Sequence, residues 1–234
     1  HGYHMGITAE NVAEKFQITR EEQDKFALSS QNKALKAKKD KKFKEEIIDL
    51  SEIEFNEDEH PRDGLNLESL SRLQPVFKKN GTVTAGNASS LNDGAAFLVL
   101  ASSDYIKTNK IKPLAKVLDW SASAGNPDYM GVTPITAIQK LMKKMSVNIG
   151  FFDLIEINEA FAATSVAVQR SLKIDPNKLN IVGGAIALGH PIGCSGTRIL
   201  TTLAHQLKRT KQKFGVASMC IGGGQGLAMA IERL

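Results

Sequence analysis

Two glycine-dense segments each carry one side chain able to move a proton or attack a carbonyl. Residues 183–196 read GGAIALGHPIGCSG and hold His190, and residues 220–226 read CIGGGQG and open on Cys220. Nine of the 19 glycines fall in these two stretches. Glycine is used where φ must be positive or where backbone must approach a ligand closely. Alone, His190 would read as a satisfied loop histidine and Cys220 as a small buried hydrophobe ending a strand. Their shared setting is what suggests chemistry. A third polar group, Asn158 in NEAF (158–161), is placed at a predicted strand end immediately before a helix, where it reads first as a helix N-cap. Strand ends of α/β sheets are also where active sites collect.

Three readings compete for the glycines. A phosphate-binding P-loop has GxxxxGK[ST]; Gly184 and Gly189 have the spacing, but His190-Pro191 replaces the lysine and hydroxyl residue, which excludes it. A dinucleotide fingerprint has GxGxxG leading into a helix, whereas the last glycine here is one place early and a strand is predicted next. The third reading is a pair of catalytic loops whose backbone N–H groups point at a reacting carbonyl.

The elements that must position these loops follow from periodicity. Thr19 and Glu22 form a capping box that opens a helix running to about Lys39. Strands are predicted at 45–50, 82–85, 95–101, 113–119, 153–157, near 180–182, and at 214–220 and 226–232. The 95–101 run, AAFLVLA, suits a strand buried on both faces. Helices are predicted near 102–110, from Thr133 (N-cap) and Pro134 (N1), at 159–172 and at 195–209. Residues 56–74 read as a long excursion with one helical turn. Alternating strands and helices argue for an α/β layered domain, closing in a glycine-looped hairpin.

Composition sets the bounds. The 234 residues are 42% hydrophobic and 24% charged, as for a globular chain with a core of its own. No apolar run approaches the roughly 18–20 residues of a transmembrane helix. Two cysteines make no disulfide framework, which suits a reducing, cytoplasmic setting. The net charge of +5 includes seven lysines between Lys33 and Lys44. These read as the solvated end of a helix or as a basic rim near a phosphate-bearing ligand. Phe43 is the single aromatic among them, too few for a nucleic-acid footprint. No metal site and no cofactor are expected.

NEAF, GGAIALGHPIGCSG and CIGGG, with GTVTAGNASSLNDGAA at 81–96 and HMG at 4–6, closely resemble the thiolases, the acetyl-CoA acetyltransferases, and more nearly their biosynthetic short-chain type. The resemblance covers essentially the whole chain. It implies a layered αβα architecture with a mixed sheet, preceded by a partly helical loop domain. It divides the chain into a CoA-binding loop-domain portion (1–90), a remnant of the N-terminal domain (91–112) and a C-terminal domain (113–234). By the same resemblance, His190 activates a nucleophilic cysteine and Cys220 exchanges the proton on the second substrate's α-carbon. Asn158, through a water, and His190 form one oxyanion hole, and the N–H of Gly222 contributes to another. The pantetheine channel carries over to His4, Met5, Phe77, Ala85, Ser89 and Phe161, with Arg62 and Ser69 as CoA nucleotide contacts and Cys194 as structural. The implied substrates are acetyl-CoA and acetoacetyl-CoA, with CoA thioester as substrate, not cofactor. The implied assembly is a homodimer or homotetramer.

The chain opens at His1 without a methionine. The resemblance places the nucleophilic cysteine in a preceding segment, so the expectation is the C-terminal part of a longer or split thiolase, inactive without the other half. The alternative is a non-catalytic CoA-binding module. The 95–101 strand and the helix after it are then expected to expose an apolar face that needs a partner.

Overall fold

The computed structural model describes residues 2–53, 55 and 57–234. The helices are α1 (Met5–Lys15), α2 (Arg20–Lys39), α3 (Leu67–Ser71) and α4 (Ser103–Thr108), then strand β1 (Ala115–Ala124) and α5 (Thr133–Met145). They are followed by β2 (Leu154–Ile157), α6 (Ala162–Leu172), α7 (Ala185–Leu188), α8 (Ser195–Thr210), β3 (Phe214–Ile221) and β4 (Gln225–Arg233). Among the described residues the four strands form one sheet in the order β1-β4-β3-β2. β2 and β3 are parallel, whereas β3–β4 and β4–β1 are antiparallel. The mixed sheet expected from the sequence is therefore present.

Side-chain alternation along the strands separates two cores. Ile155 and Ile157 of β2, Val216 of β3, and Ala228 and Ala230 of β4 pack against α5 and α6 through Ala137, Ile138, Leu141, Val168 and Leu172. Leu154, Ala217 and Ile231 face the other way, onto Ile199, Leu203, Ala204 and Leu207 of α8. Helices thus cover both faces of the sheet, giving three layers. Glu156 lies between Ile155 and Ile157, so period-2 alternation places it on the α8 face with Leu154. The helix-spaced apolar positions of α8 bury one face, while Lys208 and Arg209 sit in its last turn, where cations complement the helix dipole.

α2 begins where its capping box predicts, with Thr19 and Glu22 bonding reciprocally. Its buried stripe is small or polar: Gln23, Asp24, Ala27, Ser30, Gln31, Ala34 and Ala37. Small residues let the helix approach the 183–186 loop closely. Lys33 and Lys38 of the basic run bond to the carbonyls of Leu179 (2.8 Å) and Asp58 (3.3 Å), which makes these two lysines structural ties.

Four predicted strands are not strands. Residues 45–50 are turn and bend after α2, with one bridge from Leu50 to Phe55. In 82–85 the Glu10 carboxylate takes the N–H groups of Thr82 (2.9 Å) and Val83 (2.8 Å), leaving one bridge, Thr84 to Pro75. Near 180–182 the Asn180 side chain replaces a ladder partner, accepting from the N–H of Ile157 and donating to its carbonyl, both at 2.9 Å. Residues 95–101 have no regular structure, and Phe97 (81%), Val99 (93%) and Leu100 (77%) are open to solvent. Neither face of that run finds a cover in the described residues, in keeping with the expected unpartnered apolar face. Two helix starts also move. α6 begins at Ala162 with Phe161 as its N-cap, so Asn158 is not a cap, and α5 has Val132 as its N-cap.

Buried acids on the α8 face carry a pH signature. Burial pushes Glu156 up to about 8 and Glu46 up to about 7. A group whose folded value is raised contributes stability below its unfolded value, and that contribution is lost as pH rises through the folded one. Thermal unfolding followed from pH 5 to pH 8.5 is expected to show falling stability, and Glu156→Gln to flatten that fall. An unchanged slope in the variant would contradict the assignment.

Candidate active site

The site assembles at the C-terminal ends of the two parallel strands. Asn158 follows the last residue of β2, and its N–H donates to the carbonyl of Ser218 (3.0 Å), extending the β2–β3 register by one residue. Its side chain reaches His190: Nδ2 of Asn158 lies 3.3 Å from Nε2 of the imidazole. Asn158 Oδ1 is buried and takes no hydrogen bond among the described residues.

The other ring nitrogen, Nδ1, is 2.6 Å from Oγ of Ser195. That hydroxyl has one proton, which it gives to the Pro191 carbonyl at 2.9 Å. The ring must therefore supply the Nδ1–H, leaving the Nε2 lone pair toward Asn158. Burial, and then the charge of Arg198, lower the His190 pKa below its ordinary 6.5. The imidazole is thus neutral at pH 7 and equipped to accept a proton at Nε2.

A buried carboxylate holds the two segments together. Glu159, next to Asn158, accepts from Ser30 Oγ (2.6 Å), Asn180 Nδ2 (2.8 Å) and the Ile186 N–H (3.3 Å). Gly184 packs flat against it, and a Cβ there would stand 2.3 Å from the Glu159 carboxyl carbon. Neither Glu159 nor Ser195 stands out by residue type in the sequence. Glu159 lies inside the NEAF motif, and Ser195 stands five residues after His190, so the motifs themselves held the signal.

Cys220 lies near the end of β3, opposite Gly226, buried with Ala9, Val83, Met130, Ala160 and Phe161. Burial pushes its thiol up to about 11, so the resting group is the protonated thiol. His190 and Cys220 share no hydrogen bond; each meets the 158–161 segment, one at Asn158 and the other at Ala160 and Phe161. Cys194 is buried beside Gly94, with its thiol likewise raised by burial.

Gly222 opens the β3–β4 loop, and Met5 lies over it, with Sδ at 3.6 Å from where a Cβ would be. His4 caps α1 by accepting the Gly6 N–H (3.0 Å), and its ring stacks on Phe77 at 4.7 Å. Phe77 meets Phe161 edge-on at 6.2 Å. Ser89 bonds to the Ala160 carbonyl through both its N–H (3.0 Å) and its Oγ (2.9 Å). His4, Met5, Phe77, Ser89 and Phe161 thus border the segment that carries Asn158. Ala85 is exposed in the turn beside Gly86, which packs on Leu70 and Leu73. Arg62 and Ser69 are exposed and bond elsewhere: the Arg62 N–H to Gln31 Oε1 (3.0 Å), Ser69 in the α3 cap with Asn66. No hydrogen bond among the described residues joins either to the aromatic group.

Comparison with known proteins decides the ancestry. The model of the thiolase C-terminal domain matches residues 111–233, and that of the thiolase N-terminal domain matches residues 1–104. The chain belongs to the thiolase family. It is 49% identical over 240 residues to an acetyl-CoA acetyltransferase of Rhizobium meliloti (strain 1021), covering all of this chain and 61% of that protein. The fold matches the crystal structure of a Bacillus anthracis acetyl-CoA acetyltransferase with a TM-score of 0.95 and 45% identity, over 100% of this chain and 61% of that one. It also matches human mitochondrial 3-ketoacyl-CoA thiolase in complex with CoA, with a TM-score of 0.91 and 44% identity, over 98% and 59%. The chain therefore spans about three fifths of the length of these thiolases.

The hydroxyl of Ser195 fixes the tautomer of His190, so Ser195→Ala should release it. Imidazole 15N spectra of the parent are expected to show a single Nδ1–H form, and those of Ser195→Ala a mixture, with Ser195→Thr restoring the parent pattern. Persistence of the pure Nδ1–H form in the alanine variant would contradict the geometry.

Proposed function

We propose that this thiolase-family chain supplies the acid/base and oxyanion half of an acetyl-CoA C-acetyltransferase. The enzyme would condense two acetyl-CoA molecules to acetoacetyl-CoA or run the reverse thiolysis. The observation that carries the reading is the Asn158–His190 pair, with the Nε2 lone pair of the neutral ring toward Asn158, at the same strand ends as the Cys220 thiol. His190 accepts the proton of a nucleophilic cysteine, making it a thiolate able to attack a thioester or 3-keto carbonyl. The Asn158 side chain and, after transfer, the imidazolium stabilise the oxyanion; losing one such donor costs roughly 3–4 kcal/mol in the barrier. The Gly222 N–H serves the second oxyanion.

The protonated state of Cys220 suits the thiolytic direction. Cleavage of the 2,3 carbon–carbon bond of acetoacetyl-CoA leaves an acetyl group on the nucleophile and an acetyl-CoA enolate. The Cys220 thiol gives its proton to the enolate carbon, and the resulting thiolate is the base for the reverse reaction. His4, Met5, Phe77, Ala85, Ser89 and Phe161 would line the pantetheine path, with Arg62 and Ser69 toward the nucleotide.

Cys194 lies in the histidine's own motif and Cys220 has the acid/base role, so the nucleophile comes from outside these 234 residues. Its carrier is the remaining N-terminal domain, in the same polypeptide or another, which would cover Phe97, Val99 and Leu100. The complete enzyme is a homodimer or homotetramer in the cytoplasm.

Thiolysis of acetoacetyl-CoA is assayed with the 234-residue chain alone and with a polypeptide carrying a thiolase nucleophile segment, and CoA binding is measured by calorimetry. The chain alone is expected to bind CoA without turnover, and the supplemented chain to turn over. His190→Ala is expected to lower kcat of the supplemented enzyme by about 10²–10⁴. Turnover by the chain alone would contradict an external nucleophile. CoA binding with no turnover in either mixture would favour a non-catalytic CoA-binding module.

A further inference from the structure

His190 is gripped from a side that the catalytic roles above do not use. Its backbone N–H donates to Oδ1 of Asn92 at 3.1 Å. The same oxygen accepts the hydroxyl proton of Ser90, so both of its lone pairs are taken. Ser90 Oγ also lies 3.1 Å from Nε2 of His60. Ser90 thus bridges His60 and the Asn92 carboxamide. A continuous path results: His60 to Ser90 to Asn92 to the main chain of His190.

The contact is close as well as hydrogen-bonded. Gly189, immediately before His190, has φ +92°, and a Cβ there would lie 2.4 Å from Asn92 Cγ and Oδ1. Leu91 forms a parallel bridge with His190, and Gly94 packs against Pro191, where a Cβ would stand 2.6 Å from the proline ring. Residues 91–94 therefore run alongside 189–191 as a rail. His60 stands two residues before Arg62, the candidate nucleotide contact, so one end of the path lies in the CoA-facing excursion.

We propose that Asn92 is a positioning residue for His190, its carboxamide held in place by Ser90 and His60. The proposal rests on the reading of His190 as the catalytic base. Asn92 acts on the main chain that aims the imidazole at Asn158, while Ser195 acts on the ring. Side-chain geometry in an active site must be kept to within roughly 0.5 Å, which a loop achieves only when its backbone is tied from outside.

The test is amide exchange and imidazole NMR on the 234-residue chain. Asn92→Ala is expected to raise the exchange rate of the His190 amide at least tenfold and to broaden the His190 Nδ1–H signal, with the amides of β3 unchanged. Asn92→Asp keeps an acceptor at the same place and is expected to restore both. Ser90→Ala and His60→Ala are expected to give smaller increases at the same amide, and they serve if Asn92→Ala does not fold. An unchanged His190 amide in Asn92→Ala, or in both Ser90→Ala and His60→Ala, would overturn the proposal. So would faster exchange spread evenly over β3, which marks a general loss of stability. CoA titration of the parent chain separates the two readings, because failure to bind CoA counts against the function and leaves the amide result standing.

Discussion

Glu159 is a carboxylate removed from water, and donors from three separate stretches of chain converge on its two oxygens. Ser30 comes from α2, Asn180 from the turn after α6 and the Ile186 N–H from α7. Burial pushes its pKa up, while these donors and the Arg198 charge pull the other way. A group in that position either keeps all its partners or becomes a large liability, because each buried donor left unpaired costs about 1–3 kcal/mol. Asn158 immediately precedes Glu159 in the chain, and the segment containing Ile186 leads four residues later to His190. The placing of Asn158 beside His190 is therefore a consequence of this buried junction. The glycines on the 183–184 side exist to let α2 and the carboxylate come this close.

Burial sets the chemistry as firmly as it sets the geometry. It lowers His190 and raises Cys220, so at neutral pH one group is an unprotonated base and the other a protonated acid. Arg198, one turn into α8, is the charge that reaches many of these groups: it acts on His190, Glu46, Glu156, Glu159 and Cys194. Cys220 lies near the C-terminal end of β3, and His190 sits between α7 and α8, beside Asn158 at the end of β2. The same sheet whose two faces hold the cores thus brings Asn158 and Cys220 to one end of its strands.

Legibility in the sequence followed the range of the interactions. The capping box of α2, the helical spacing in α5 and α8 and the β3–β4 hairpin are local patterns, and all are present in the structure. Segments 45–50, 82–85 and 180–182 carry strand-like residues, but their backbone groups are taken by distant side chains such as Glu10, or by turns and Asn180; periodicity holds no trace of this. Segment 95–101 reads as a doubly buried strand because its residues are apolar, yet the described residues supply no cover for it. At the site, His190, Cys220 and Asn158 were legible from residue type and glycine context. Ser195, Glu159 and Asn92 were not, since a serine, a glutamate or an asparagine becomes a positioning group only through contacts 5, 27 or 98 residues away.

The buried junction can be measured directly by equilibrium urea unfolding of Glu159→Ala beside the parent chain. The alanine leaves the donors of Ser30, Asn180 and Ile186 without their acceptor. A loss of about 3 kcal/mol or more in unfolding free energy, at an unchanged denaturant slope, is the predicted result. A loss below about 1 kcal/mol would place Glu159 among ordinary side chains and contradict the view that it holds Asn158 and His190 together.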